Sequence, residues 1–535
     1  MKNRPARLSL LCAFALAACT RSGAPSGTGV RDASPGADAP VARDDAGALR
    51  DAARMPSDRA PTAEDARADV HVDTAPPIDN ARCPWRLPGA DGGVAQAAVT
   101  VSTPFAAPDD TLTFTPPQIP CALFDVTDYG ARGDGTTKNT GAFSQAIAAA
   151  TAAGGGVVNV PAGTWLTGLI HLASRIELHL AAGATLRFSQ TFADYLPPVL
   201  TRWEGLDVMN WSPLVYARDC TDVAITGPGA LDGQGSAWAS WKIAATAEDQ
   251  RIYDYYVARL PLDPGNLPAP PTSAVNPGLR PAFVELNHCT NVLVDGPSIT
   301  GSPYWTLHPL YSDNVIIRHV AIDTRSTSSN GDGIDPDSST HVLIDGVSFA
   351  TSDDCIAIKS GLNEDGIAVG KPSHDIVVRN VTTSVGHGGV AVGSEASGGV
   401  DNVYVTQSSL VGVDQPIRVK TLPGRGGTLA KLWFADDLTI GWDTTGVELT
   451  AQYGSSTIPP HDPSLLPTLA GITLRGMTGS GDGPVYSLAG PLSGVVFDHV
   501  SLTGDKGTCT QAPGTSLIMT ALSGVATAAT VLPCK

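Results

Sequence analysis

Charged residues are concentrated in four short segments that otherwise lie among apolar residues. These segments are Asn330–Asp335, Ser352–Cys355, Gly386–Gly388 and Ile417–Lys420. Their candidate catalytic residues are Asp332, Asp353, Asp354 and His387. Neighbouring carboxyl groups split their pKa values, so one can donate a proton to a leaving oxygen while another activates water. These residue types therefore suit hydrolysis of a glycosidic bond.

Two cations in the last segment indicate the kind of sugar. Arg418 and Lys420 are two residues apart on a predicted strand and share a face, while Ile417 and Val419 point inward. Arg holds a carboxylate by a two-point fork and Lys holds it as a point charge. The pair therefore predicts a binding site for an acidic sugar.

The strand pattern alone leaves the position of one acid open. Asp353 and Lys359 have the same parity along the predicted strand, so Lys359 is a further candidate for substrate binding. Asp354 has the opposite parity and reaches the same face only if the chain bends at the Asp353-Asp354 pair. Asp-Gly and Asp-Pro pairs are common in turns, so Asp332, Asp335 and Asp337 have an alternative interpretation as turn formers.

A repeat predicts how these segments come together. From about residue 122 a polar turn is followed by a short β-branched run, as in Thr290–Val294 and Asp313–Ile317. The run recurs mostly every 23–30 residues, which is typical of a solenoid. Leucine-rich repeats compete, but their consensus is missing. We therefore predict an all-β, single-stranded right-handed parallel β-helix, with a helix at Phe143–Ala152 capping its N-terminal end.

Composition excludes other classes of protein. The chain has 535 residues, 42% apolar and 16% charged, and a net charge of -18. It is too apolar to be disordered throughout, and too acidic for a basic nucleic-acid surface. No run of about 20 apolar residues lies beyond the N-terminus, which argues against an integral membrane protein.

The first residues resemble a bacterial lipoprotein signal. Lys2, Arg4 and Arg7 precede a short apolar run that ends at Cys19. We expect residues 1–18 to be the signal, Cys19 to be lipidated, and the protein to be exported and anchored at the outer membrane or cell surface. Residues 19–80 are poor in aromatic residues and are predicted to form a disordered tether. Residues 81–121 are expected to form a small β-rich extension and 122–535 the β-helix.

Nine cysteines are present, and export permits disulfides. Pairing of Cys83 with Cys121, and of Cys509 with Cys534, would staple the two ends of the main domain. Three others, Cys220, Cys289 and Cys355, are expected to fill coil interiors. No cysteine or histidine cluster has zinc-ligand spacing, so no metal or other cofactor is predicted.

Taken together, the four segments resemble the Asn-Thr-Asp, Asp-Asp, Gly-His-Gly and Arg-Ile-Lys signatures of the polygalacturonases of glycoside hydrolase family 28. The similarity extends over roughly 122–505 and includes Phe124–Val126 and Asp128–Ala131. It implies a metal-independent, inverting hydrolase of α-1,4-galacturonosidic linkages on a right-handed β-helix. Two departures are Gly331 in place of Thr and Val419 in place of Ile.

The resemblance also implies roles for individual residues. Asp353 would be the general acid, Asp332 and Asp354 would hold and activate water, and His387 would support the acid or contact substrate. The implied substrate-binding residues are Arg418, Lys420 and Tyr453, with Lys359 and Asn330 as further candidates; for Tyr453 simple packing is the alternative. The presence of His387 favours polygalacturonate over rhamnogalacturonan.

Two other functions remain open at this point. A calcium-dependent pectate lyase is also built on a β-helix, and Asp353 and Asp354 could serve calcium. A glycan-binding solenoid without turnover is the third possibility. Within the hydrolase hypothesis, the segments 238–282 and Gly361–Ser373 are long enough to wall the groove, which favours exo action. We expect a monomer whose partner is an acidic polysaccharide.

Overall fold

The computed structural model describes residues 97–105, 110–239, 279–326, 329–454, 460 and 462–505, together with the backbone of 508–511 and 517–523. Several sequence predictions lie outside these residues. They are the signal segment 1–18, Cys19, the tether 19–80, Cys83, Cys534 and most of the insert 238–282.

Strands make up most of the described chain. Those of its first half are β1 (Val99–Thr103), β2 (Asp110–Phe114), β3 (Leu123–Asp125), β4 (Asp134–Lys138), β5 (Gly156–Val160), β6 (Gly163–Thr167), β7 (Ile170–His171), β8 (Ile176–Leu180), β9 (Ala184–Phe188), β10 (Val199–Trp203), β11 (Leu206–Asn210), β12 (Val215–Arg218), β13 (Thr221–Thr226), β14 (Ala230–Asp232), β15 (Val284–Asn287), β16 (Thr290–Asp295), β17 (Ser298–Thr300) and β18 (Leu307–Leu310).

The second half continues the same order. Its strands are β19 (Asp313–Arg318), β20 (Ala321–Asp323), β21 (Thr340–Asp345), β22 (Ser348–Ala350), β23 (Ile356–Ile358), β24 (Ser373–Arg379), β25 (Thr382–Val392), β26 (Val400–Thr406), β27 (Ser409–Lys420), β28 (Thr428–Trp442), β29 (Val447–Thr450), β30 (Thr468–Pro484), β31 (Tyr486–Gly490), β32 (Leu492–Ser493), β33 (Val495–Asp505), β34 (Thr508–Gln511) and β35 (Leu517–Ser523).

Successive coils stack in parallel register, which confirms the predicted β-helix. The repeated β-branched runs form one sheet, in which Val292 of β16 pairs with Val315 of β19 and Val315 pairs with Val342 of β21. A second sheet contains β14, β17, β20 and β22. A third, which we call the groove sheet, contains β7, β12, β15, β18 and β23, then the ends of β25 and β27, then β29 and β31.

A polar ladder explains the turn that opens each repeated strand. The second residue of the repeat has a left-handed backbone, with φ of 57° at Asn291 and 55° at Asn314. Asn and Asp tolerate this conformation better than most residues. Asn314 Nδ2 donates to Asn291 Oδ1 at 2.7 Å, and Asn291 Nδ2 donates to Asp222 Oδ1 at 3.1 Å. The recurrent polar residue therefore both turns the chain and links neighbouring coils.

Two α-helices occur in the described residues, α1 (Thr140–Ala152) and α2 (Asn363–Val369). Helix α1 buries Phe143 and Ile147 and packs on β3 and β5, which pair with each other in the first two coils. The helix therefore lies where the sequence predicted it, while its capping function stays a prediction. Helix α2 shows that the segment Gly361–Ser373 is partly helical. Neither helix has the length and apolar character that a membrane crossing requires.

Part of the range 81–121 forms a hairpin on the outside of the β-helix. Strands β1 and β2 are antiparallel, and their Val101 and Phe114 pack against a stripe of outward residues from consecutive coils. That stripe consists of Ala224, Leu293, Ile316, Leu343 and Val377. The hairpin thus covers apolar surface that the repeat leaves on the outer side of one sheet.

The cysteines within the described coils are where composition predicted them. Cys220, Cys289 and Cys355 are free and buried. Cys121 is disulfide-bonded. The pairing of Cys509 with Cys534 stays a prediction.

Candidate active site

The four charged segments meet in one cavity of about 230 Å³ on the groove sheet and the turns that precede its strands. Coil stacking explains the meeting, because Asp337 bridges to Lys359, Ala391 pairs with Arg418, and Arg418 pairs with Glu448. The cavity is lined by Glu204, Trp305, Asn330, Asp332, Asp353, Asp354, Lys359, His387, Ser394, Glu395, Arg418, Lys420 and Tyr453. All nine residues predicted for catalysis and substrate binding are in this set.

Asp354 reaches the cavity because the chain bends at Ser352 and Asp353, as the strand parity required. Lys420 Nζ donates to Asp354 Oδ2 at 2.7 Å, and Arg418 Nη1 lies 3.6 Å from its Oδ1. A Cβ placed on Gly388 would lie only 2.5 Å from Asp354 Oδ1. The second glycine of Gly-His-Gly therefore leaves room for this carboxylate.

Asp353 is less buried and faces His387. Asp353 accepts hydrogen bonds from the backbone N–H groups of Asn330 at 3.2 Å and Asp354 at 3.0 Å. His387 Nδ1 lies 3.7 Å from Asp353 Oδ1, while its Nε2 lies 3.2 Å from Asp414 Oδ2. The imidazole thus bridges two carboxylates at the rim of the cavity.

A cluster of acidic residues surrounds Lys359 at the floor of the cavity. Lys359 Nζ is 3.2 Å from Glu395, 3.6 Å from Asp335 and 3.8 Å from Asp332. It also lies 4.3 Å above the Trp305 ring, which is a cation–π geometry. Since Lys359 is almost fully buried and surrounded by acids, its main electrostatic partners in the free protein are these carboxylates.

The acids differ in their tendency to hold a proton. Burial, followed by the charge of Asp353, raises the pKa of Asp332 to about 8 despite Lys359. Burial would also raise the pKa of Asp353, but the hydrogen bond with His387 and the charge of Lys420 lower it below its usual value. Burial is likewise outweighed at Asp354, where Lys420 and Arg418 lower the pKa. These shifts favour a proton on Asp332 and anions at Asp353 and Asp354.

The cations are arranged as the strand alternation predicted. Ile417 and Val419 are in the core, whereas Arg418 and Lys420 line the cavity. Arg418 Nε donates to Glu448 Oε2 at 2.8 Å. The Tyr453 ring lies 5.3 Å from the Arg418 guanidinium and 5.4 Å from Lys420 Nζ. Tyr453 therefore has a definite place beside both cations, at the wall of the cavity.

The first segment is held from outside the repeat. Arg280 Nη2 donates to Asn330 Oδ1 at 2.9 Å and Arg280 Nη1 donates to the Ser329 carbonyl at 2.7 Å. A Cβ on Gly331 would lie 2.4 Å from Ser352 Oγ and 3.0 Å from Thr324 Oγ1. The departure from Thr at this position is thus matched by side chains that occupy the vacated space.

Several residues of the site were missed by sequence reasoning. Asp335, for which the sequence offered an interpretation as a turn former, is fully buried beside Lys359. Asp337 is also fully buried, where Arg202 Nη1 donates to it at 2.7 Å. The other missed residues around the site are Glu204, Trp305, Glu395, Asp414 and Glu448. Asp414 and Glu448 had a usable signal, because each lies about one coil beyond His387 or Arg418.

One group in the described chain has a metal-like arrangement. Ligand atoms of Asp353, Asp354 and His387 lie within 4.8 Å of one another. Calcium prefers six to eight oxygen ligands. Here Asp354 is already bound by Lys420 at 2.7 Å, and a histidine supplies one of the three atoms. The donor set therefore fits a calcium ion poorly.

Comparison with known proteins finds matching family models and similar enzymes. A family model described as "Glycosyl hydrolases family 28" matches residues 274–520, and one described as "Rhamnogalacturonase A/epimerase, pectate lyase-like" matches 123–179. A probable polygalacturonase of Vitis vinifera is 31% identical over 421 residues, covering 76% of this chain and 79% of the relative. An exo-poly-alpha-D-galacturonosidase of Dickeya chrysanthemi is 27% identical, and the match covers 74% of this chain and 69% of the relative.

A solved structure gives the same result. The exopolygalacturonase of Thermotoga maritima is 34% identical, with a TM-score of 0.66, and the match covers 76% of this chain and 93% of that one. From the extent of these similarities, and from the acids and cations that the coils bring into one cavity, we conclude that the chain belongs to glycoside hydrolase family 28.

Proposed function

We propose that the protein hydrolyses α-1,4-galacturonosidic linkages of polygalacturonate with inversion, by direct attack of water. The observation that carries this proposal is the position of Arg418 and Lys420 in the same cavity as Asp353, Asp354 and Asp332. The two cations supply the electrostatic complement of a sugar carboxylate, and the acids supply the proton and the base. The names of the relatives from Vitis, Dickeya and Thermotoga support the same substrate class.

The negative charge of the bound substrate can move a proton from Asp332 to Asp353. A galacturonate carboxylate bound at Lys420 and Arg418 brings negative charge close to Asp353 and competes for Lys420, which lowers the pKa of Asp353 together with the hydrogen bond from His387. The pKa of Asp353 then rises, and the proton held by Asp332 in the free enzyme is transferred within the site. Asp353 donates it to the glycosidic oxygen, while Asp332 and Asp354 orient and deprotonate the attacking water.

Two features favour removal of single units from a chain end. The cavity of about 230 Å³ lies below the roughly 300–1,000 Å³ of pockets that enclose drug-sized ligands, which suits one sugar ring. The relatives from Dickeya and Thermotoga are named as exo-acting enzymes. The insert at 238–282 lies mostly outside the described residues and is not used as support for this proposal.

Product analysis in ¹⁸O-labelled water tests the reaction. We expect early release of galacturonic acid alone, with one ¹⁸O at the new reducing carbon and the β configuration before mutarotation. Asp353→Asn should lower kcat by at least about a thousandfold, since it removes the acid that protonates the leaving oxygen. Asp437→Asn, at an exposed left-handed position away from the cavity, is the matched control and should retain full activity.

The same experiment distinguishes the other functions. A pectate lyase would yield an unsaturated, ultraviolet-absorbing end without ¹⁸O, and a chelator would abolish its activity. A glycan-binding protein would release nothing beyond the Asp353→Asn background. An early ladder of labelled oligomers would leave hydrolysis standing but would reject exo action.

We also propose that the chain is exported and anchored through lipid on Cys19. The support is the basic, then apolar, N-terminal sequence that ends at this cysteine. Metabolic labelling with palmitate and fractionation provide the test. Native protein should carry label and sediment with membranes, and Cys19→Ala should do neither; label on Cys19→Ala would reject this proposal.

A further inference from the structure

A hairpin outside the four catalytic segments covers part of the groove sheet. Strands β10 and β11 are antiparallel and turn at Glu204-Gly205. Thr201 Oγ1 donates to Glu285 of β15, and Tyr216 Oη of β12 donates to the Leu200 carbonyl at 2.6 Å. The hairpin therefore lies over the coils that precede the catalytic ones, on the face that becomes the cavity.

Arg202 joins this hairpin to the sheet. Its side chain is 0% exposed, and its Nη1 donates to Asp337 Oδ1 at 2.7 Å. Its Nε donates to Asp207 Oδ1 at 2.8 Å, and its guanidinium lies 4.4 Å above the Tyr311 ring. A fully buried charge needs such complete pairing, so this arrangement favours one position of the hairpin.

Asp337 is itself held from the catalytic side of the sheet. Its Oδ1 also accepts from the backbone N–H of Gly361 at 3.1 Å, in the segment that leads into α2. On the groove sheet Asp337 bridges to Lys359, which lies on the cavity floor. The ion pair therefore connects the hairpin directly to the coils that form the cavity.

The tip of the hairpin forms one wall of the cavity. Glu204 lines it. A Cβ on Gly205 would lie 2.8 Å from Leu362 Cβ and 3.2 Å from Glu395 Cβ, so the turn is in close contact with both residues. Glu395 in turn binds Lys359 at 3.2 Å. A sugar chain that continued beyond the cavity in this direction would collide with the turn.

We propose that the hairpin Val199–Asn210 limits hydrolysis to chain ends, and that the Arg202–Asp337 ion pair is the positioning contact that keeps it across the groove. This proposal rests on the proposed function and explains its exo mode. Neither Arg202 nor Asp337 lines the cavity, so their role is in substrate specificity and not in the chemical step.

The test compares product profiles on polygalacturonate at less than 5% conversion. Wild-type protein is expected to release galacturonic acid only. Arg202→Met should raise the ratio of oligomers to monomer at least about tenfold and should lower viscosity early, because the freed hairpin no longer blocks the groove. Only folded molecules release product. Partial unfolding of the variant therefore lowers the total rate of release but does not change the ratio of oligomers to monomer. The rate at which folded Arg202→Met hydrolyses digalacturonate should stay within about threefold of the wild-type rate.

Two further variants keep the test decisive. Replacing residues 203–206 by Asn-Gly retains Arg202 but shortens the wall by one residue pair, using a favoured two-residue turn; it too should produce oligomers. Arg379→Met removes an Arg–Asp pair between neighbouring coils on a different sheet, where Arg379 Nη2 donates to Asp345 at 2.8 Å, and should still give monomer only. Monomer alone from both hairpin variants, or early oligomers from wild-type protein, would overturn the inference, whereas absence of any released sugar, monomer or oligomer, from wild-type protein would overturn the proposed function.

Discussion

Lys420 Nζ donates a hydrogen bond to Asp354 Oδ2 at 2.7 Å, although the two residues are 66 positions apart in the chain. This contact joins the cation expected to bind the sugar carboxylate to an acid expected to hold water. Anion binding and acid–base chemistry are therefore electrostatically coupled in the site.

The first prediction concerns recognition of the sugar carboxylate. Arg418→Lys keeps the positive charge but loses the planar fork, so KM for polygalacturonate should rise about 10- to 100-fold, as expected when a charged hydrogen bond of about 1.5–3 kcal/mol is lost. Initial-rate kinetics provide the measurement. Arg475→Lys, at the Asp436 pair away from the cavity, is the control. An unchanged KM would show that Arg418 serves only Glu448 and Asp354.

The second prediction concerns the glycine that leaves room for Asp354. Gly388→Ala would place a Cβ 2.5 Å from Asp354 Oδ1, which forces the carboxylate away from Lys420. We expect kcat to fall about tenfold or more, because such overpacking costs about 1–3 kcal/mol and misplaces a reacting group. Gly141→Ala in α1, where nothing lies within 4 Å, should leave kcat unchanged and should not lower Tm, because Ala favours a helix over Gly. Retention of kcat within twofold in Gly388→Ala would contradict the prediction.

The third prediction concerns the alkaline limit of activity. The pKa of Asp332 is raised to about 8, chiefly by burial. The pH dependence of kcat/KM reports the pKa values of the essential groups in the free enzyme. Below this pH the site holds the proton that the leaving oxygen needs, and above it the proton is lost. We therefore expect kcat/KM to decrease about tenfold per pH unit above about 8. Melting curves at each pH control for unfolding, and constant kcat/KM up to pH 10 would reject the assignment.

The fourth prediction concerns stability and pH. The hydrogen bond with Asp353 raises the pKa of His387, so this contribution to the free energy of unfolding is full below about pH 6.5 and is lost as pH rises through the folded value. The pKa of Asp353 is lowered, so its contribution is present above about pH 3.9 and is lost as pH falls further.

The directions of these two pKa shifts predict the pH range in which His387 stabilises the protein. The difference in Tm between wild-type protein and His387→Gln should be largest between about pH 4 and 6.5 and should shrink toward pH 9. His374→Gln, whose histidine pairs with Asp375 outside the cavity, serves as the comparison for a single surface pair. A difference that grows above pH 7 would have the wrong sign.

The sequence determined the fold and the chemical content of the site. Spacing of β-branched runs predicted the stacked coils, because each coil buries its inner residues only against its neighbours. Alternation along one strand predicted that Arg418 and Lys420 point outward while Ile417 and Val419 enter the core, and the structure confirms this. Such inferences succeed because the side-chain period of a strand is a local property.

Only the tertiary structure decided which groups face one another across coils. The bend that brings Asp354 to Lys420, the burial that raises the pKa of Asp332, and the contact of Gly205 with Glu395 all depend on irregular segments between strands. Arg202 and Asp337 are 135 positions apart, and no repeat links them. Turns and inserted hairpins follow no period, and the charge state of a buried acid depends on everything packed around it. For these reasons the position of the cavity wall and the protonation of Asp332 could be determined only from the tertiary structure.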